Sequence, residues 1–147
     1  MWPLMIITLI MLIVCTISDI RERQINLTVI LVSIFIALIY RGYVGSAWKG
    51  LEELIFRFVP GLIMLVISLL RKKLIGQGDA IMVLATGYIL GGEYNLILLM
   101  GGTLGSSLYS LVMICLKKTK LGDSLPFAPF MLCGLLGLII YVFIKKG

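Results

Sequence analysis

Six apolar runs separated by short polar breaks leave this 147-residue chain few ways to fold. They cover roughly residues 3–18, 27–40, 54–70, 80–90, 96–116 and 128–144. A helix that crosses a bilayer needs ~20 predominantly apolar residues. Hydrophobic residues make up 61% of the chain and charged ones only 14%, more apolar surface than one water-soluble core of this size can hide. The expected fold is all-α, a polytopic membrane protein built as a bundle of six transmembrane helices, with residues 1–147 forming a single domain. The second and fourth runs are short for a full crossing. Their helices must extend past the runs or sit where the bundle excludes lipid.

Positive charge sets the expected orientation. The first, third and fifth breaks hold Arg21, Arg23, Arg71, Lys72, Lys73, Lys117, Lys118 and Lys120. The other side holds Arg41, Lys49, Lys145 and Lys146, with Arg57 near the start of the third run. Eight against four puts the odd loops in the cytoplasm and both termini outside, in a multi-pass protein of the cell (plasma or inner) membrane. The net charge of +6 is then chiefly a topology signal. No basic soluble face is left for nucleic acid, though the basic loops suit anionic lipid headgroups. The opening "MWPLMIITLIMLIVC" lacks the basic start of a cleavable signal and reads as the first span. Cys15, Cys115 and Cys133 have no paired spacing and read as packing residues.

The residue inventory narrows the chemistry. Histidine is absent, which removes Ser-His and Cys-His nucleophiles, the HExxH zinc hydrolases and most transition-metal sites. Seven acidic residues remain: Asp19, Glu22, Glu52, Glu53, Asp79, Glu93 and Asp123. Asp19 closes the first apolar run, and Asp79 opens the fourth within "LIGQGDAIMV". By the charge pattern both lie at cytoplasmic helix ends. Two carboxylates brought together in a poorly solvated place share one proton near neutral pH. An aspartic protease uses that state: one carboxylate takes a proton from water while the other gives one to the scissile carbonyl. Gly76 and Gly78 let the chain turn into the fourth helix and approach a neighbouring backbone closely. Taken singly each aspartate has a plain reading, Asp79 as a helix cap and Asp19 as a partner of Arg21 or Arg23. The two together, in a bundle without histidine, are more specific than either alone.

Three segments then carry a resemblance. "GQGD" matches the Gly-x-Gly-Asp signature of membrane-embedded aspartyl proteases, and "SDIRERQIN" resembles the segment that ends the first core helix of type IV prepilin peptidases. "LPFAPFMLCG", residues 125–134, is similar to the entry to that family's last helix. Order and spacing agree over nearly the whole chain. The resemblance implies an aspartic-type endopeptidase that removes the leader of prepilin or pseudopilin precursors at the cytoplasmic face, without metal or organic cofactor. It carries the catalytic pair onto Asp19 and Asp79, with Gly76 and Gly78 in the active-site loop. Larger family members add an N-methylating domain with a cysteine tetrad; here the first cytoplasmic loop is only "RERQIN", so a minimal peptidase is expected. Ile81 stands where the family often has lysine, and Asn26 where it usually has proline.

The remaining features read as structure. Glu22 is expected to pair with nearby arginines, and Glu52 and Glu53 to lie at the far end from the site. Asp123 sits in a basic, solvated loop with ample counter-charge. Gly101 and Gly105, like Gly87 and Gly91, are spaced for close helix packing. Trp2, Trp48, Tyr40 and Tyr43 suit the outer interface. Two other functions compete with the peptidase: a small transporter or proton conductor using Asp79 as its relay, and a catalytically silent factor for pilus assembly.

Overall fold

The computed structural model describes residues 2–22, 24–44, 51–70, 76–116 and 126–146. Asp123, Trp48 and the basic run 71–73 lie outside the described residues. Six helices follow in order: α1 (Trp2–Glu22), α2 (Leu27–Val44), α3 (Leu51–Leu70), α4 (Gln77–Leu90), α5 (Gly92–Cys115) and α6 (Ala128–Lys146). Among the described residues there is no strand. All but α4 are long and apolar enough to cross a membrane, which makes the chain a multi-pass membrane protein.

The helices sort their faces by polarity more than by hydropathy. On α1 the buried stripe runs Met5, Thr8, Leu12, Cys15 and Asp19, stepping three or four residues each time. The opposite stripe, Ile6, Ile10, Ile13, Ile17 and Ile20, is exposed. Lipid is as good a solvent for isoleucine as a protein core, so the outer face carries the plainly apolar residues. On α1 the polar Thr8, Thr16 and Asp19 turn inward. Asp19 faces the bundle because it belongs to the inward register of α1. On α2 the inward residues are Ile30, Ser33 and Ala37, and on α6 Met131, Leu135 and Leu138. Of the cysteines, only Cys15 is buried; Cys115 and Cys133 are exposed, which corrects their reading as packing residues.

α4 is the odd member. Its 14 residues reach about 21 Å, short of the ~30 Å hydrocarbon core. It is also the central helix, packed by α1, α2, α3 and α5, with α6 outside against α1 and α5. Residues 85–90 are all buried. The break after it is tighter than the polar run "GGEYN" suggests. Only Gly91 is non-helical, at φ +104° and ψ 162°, a conformation open to glycine alone. Glu93, Tyr94 and Asn95 already belong to α5. Asn95 is fully buried and meets the Thr86 hydroxyl at 2.6 Å.

A helix that stops inside a bundle leaves carbonyl groups without partners. Here two arginines answer them. Arg57 of α3 donates to the Tyr88 carbonyl at 3.4 Å, and Arg41 of α2 donates to the Ile89 carbonyl at 3.1 Å. Arg57 also pairs with Glu53 one turn earlier, and Arg41 lies over the Tyr88 ring. Gly87 permits the approach, since a Cβ there would collide with the Arg57 carbonyl oxygen. Cations at a helix C-terminus also complement its dipole.

Arg57→Ala should therefore lower stability by about 3 kcal/mol, the range for breaking a buried charged contact. Arg57→Lys should fall between, keeping the charge and losing the planar fork. Thermal midpoints in detergent measure both; an unchanged midpoint for Arg57→Ala would show that the arginine does not hold this helix end.

Candidate active site

Asp19 is in the last turn of α1 and Asp79 in the first turn of α4, 60 positions apart in sequence. Because α1 ends and α4 begins at the same end of the bundle, both line one cavity. It holds about 360 Å³ and is also lined by Gln24, Ile25, Leu27, Gly76, Gln77, Gly78 and Ile81. That volume suits a small substrate segment with water. Glu53 lies at the opposite end, on the first turn of α3 with Arg57.

Local chemistry explains how Asp79 is held. Gly76 is the N-cap of α4, which makes Asp79 its third helical residue. From there the carboxylate reaches back to the Gly76 backbone N–H, one half of a capping box. Gly76 has an extended backbone, φ −65° and ψ 136°, that any residue can adopt. A Cβ there would lie 3.0 Å from Asp79 Oδ2, so the carboxylate would have to shift to admit one. Gly78 answers to a different neighbour. A Cβ there would come 2.8 Å from Cβ of Ile25, in the link that follows α1. The close approach is to a side chain, where a backbone was expected. Gly78 lets the first turn of α4 close on the link that follows α1, while Gly76 leaves room for the Asp79 carboxylate of its own helix.

Asp79 lies ahead of the apolar part of α4 and outside the five membrane-length helices. Burial raises its carboxyl to about 7, the Asp19 charge adds to the rise, and the Gly76 N–H opposes it. Asp19 is only 8% exposed. Its Oδ2 accepts the backbone N–H of Ala128, the first residue of α6, at 3.1 Å. So the Phe-Ala-Pro-Phe segment brings a helix N-terminus onto the carboxylate. Sequence reasoning did not place that donor, because a backbone N–H has no residue-type signature. Asn26 also gains a role: its Oδ1 accepts the Thr28 N–H at 3.1 Å and caps α2. Ile81 is half-buried on the cavity wall. Among the described residues no three His, Cys, Asp or Glu side chains converge as a metal site.

A sequence model of the type IV leader peptidase family matches residues 6–115. The matched stretch contains both aspartates and the Gly76–Asp79 turn. No curated protein and no solved structure matches the chain.

The packing at Gly78 is directly testable. Gly78→Ala should destabilise the protein by about 1–3 kcal/mol through overpacking. Ile25→Gly, which removes the facing Cβ, should restore most of that loss in the double variant. A double variant no more stable than Gly78→Ala would show that the constraint lies elsewhere.

Proposed function

The chain belongs to the type IV leader peptidase family, and from that premise we propose that it is an aspartic-type endopeptidase working through Asp19 and Asp79. The observation that carries the reading is the meeting of these two carboxylates in one cavity. Hydrolysis by such a pair needs one proton between two carboxyl groups. The ionised carboxylate takes a proton from water, and the hydroxide formed adds to the scissile carbonyl carbon. The protonated carboxyl gives its proton to the carbonyl oxygen, leaving a tetrahedral gem-diol. On collapse the first carboxyl returns its proton to the leaving nitrogen and the second regains one from a gem-diol hydroxyl. The C–N bond breaks, and the pair is back in its starting state.

The substrates proposed are membrane-anchored precursors of the prepilin or pseudopilin type. Their polar leader would lie at the aqueous surface and their apolar segment against the bundle. The cavity lies at helix ends, where Gln24, Gly76 and Gln77 are exposed, so leader and water can reach it without a channel. The concentration of Lys and Arg in the odd loops supports a cytoplasmic location for this end.

Asp19→Asn and Asp79→Asn should each reduce cleavage of a purified precursor by at least about 10³-fold, and the double variant should be no worse than either. Asparagine keeps the shape and removes the exchangeable proton. A transporter using Asp79 would instead tolerate Asp19→Asn, so near-normal cleavage by either variant ends the paired-carboxylate reading. Wild-type cleavage should fall as pH rises past about 7, where Asp79 loses the proton it must donate. A rate that climbs through that range would contradict the proposed acid. For orientation, a cysteine placed between residues 71 and 73 should react only with reagents supplied from the cytoplasm. Labelling from outside would move the site to the other face.

A further inference from the structure

The neighbours of α4 form a ring around it, and the ring has one break. Among the described residues α3 packs on α5, α5 on α6, α6 on α1 and α1 on α2, while no such packing joins α2 to α3. The exposure of α4 agrees. From Ala80 to Leu90 every residue is buried except Ile81 and Leu84, which stand three positions apart on one face. Tyr88 continues that face, and there the break closes. The Arg41 guanidinium of α2 lies 5.9 Å from the centre of its ring, and the Phe58 ring of α3 lies 6.3 Å from it.

The edges of the break can be named. Phe56 of α3 lies against Gly92 of α5. The opposite edge of α3, which carries Phe58 and, two turns on, Leu65, is therefore turned away from α5 and toward the break. Gly61 brings this helix close, since a Cβ there would come 2.6 Å from the Leu84 side chain. On α2 the half-buried Ile34 lies two turns before Arg41 on the same face. The result is an apolar groove with Ile81 and Leu84 as its floor. It ends at Tyr88 and runs to Ile81, which also lines the cavity of Asp19 and Asp79. Seven positions of helix separate Tyr88 from Ile81, about 10 Å, so the groove seats about two turns of an added helix.

We propose that this groove receives the first turns of the precursor's apolar helix, which enters sideways from the bilayer between α2 and α3. The proposal rests on the aspartic peptidase reading and adds the route and the seat of its substrate. Continuity with the cavity decides the occupant. A helix lying in the groove has its near end at Ile81, so the residues that precede it in the chain arrive at the two carboxylates. A lipid tail in the same place brings nothing to hydrolyse. Apolar burial alone does not favour protein over lipid here, so the seat depends on close packing, and a recess between two helices offers contacts on three sides. Beyond Tyr88 the groove is shut, and the rest of the substrate helix stays in lipid.

The test maps the contacts of the bound helix. A prepilin-type precursor carries photoleucine in the first two turns of its apolar helix. It is irradiated in lipid vesicles with the Asp79→Asn protein, which keeps it uncut and leaves every groove residue in place. Adducts located by mass spectrometry should fall on Ile34, Leu65 and Leu84 at several-fold the yield on Ile63 of α3 and Leu108 of α5, which are exposed elsewhere on the bundle. Photoleucine moved to the last two turns should lose that preference. Equal yields at all five positions, or a maximum at Ile63 or Leu108, overturn the proposal, and cleavage of the same precursor by the unaltered protein would leave the peptidase reading standing. Failure of the unaltered protein to cut that precursor would instead overturn the peptidase reading on which the seat rests. A second measurement identifies the occupant from the other side. p-Benzoylphenylalanine in place of Leu65 should give an adduct with the precursor; an adduct joining two copies of this chain, or adducts with lipid alone, would assign the groove to another occupant and overturn the proposal.

Discussion

The architecture depends on a helix too short to cross the membrane that the other five can cross. α4 stops within the span of its neighbours, so the polar backbone groups at its buried C-terminal end need protein partners, while Gly76 and Gln77 at its start are exposed. At its C-terminus Arg41 and Arg57 supply donors to the Ile89 and Tyr88 carbonyls. At its N-terminus the Asp79 carboxylate serves the Gly76 N–H. Buried charge of this kind is costly without such partners. The residues that look least suited to lipid are therefore those that let a short helix exist there.

That short helix also sets the depth of the site. Its far end is tied to α2 and α3 through the arginines, and Gly91 joins it to α5 in one residue. With that end fixed, 14 residues of helix determine the level at which Asp79 stands. α1 runs without interruption to Glu22, and its inward register delivers Asp19 to the same level. Neither carboxylate is brought there by a flexible loop. Positioning by rigid elements suits hydrolysis, because small displacements of a catalytic group cost large factors in rate.

Much of this was legible in the residues, and the failures have identifiable causes. Four of the five long helices follow from apolar length alone, α2 extends past a run that is short for a crossing, and the end of the bundle holding both aspartates follows from their places at the ends of runs one and four. The starts of α4 and α5 did not. Gln77 and Gly78 look like a loop, yet they are helical, and Asp79 stands in the first turn of α4, where its reading as a helix cap puts it. Glu93 to Asn95 look like a loop too, yet Asn95 finds Thr86 and is wholly buried. In both cases a tertiary or capping contact outweighs local polarity. The inward face of α1 is hard to read from hydropathy, since isoleucine lies outside and methionine and leucine inside; only Thr8, Cys15, Thr16 and Asp19 mark it. The contact between Asp19 and Ala128 could not be read at all. It joins a side chain to a backbone group across nearly the whole sequence.

The position of the cavity also bears on why a membrane peptidase can hydrolyse anything. Water is a reactant, and the hydrocarbon interior does not supply it. A carboxylate pair in mid-bundle would need a polar channel, with every buried group along it satisfied. At helix ends the requirement is lighter. Exposed Gln24 and Gln77 line the site together with Ile25, Leu27 and Ile81, so polar and apolar side chains meet around the two carboxylates. With Gln24 and Gln77 exposed, water reaches the site from the surface and no such channel is needed.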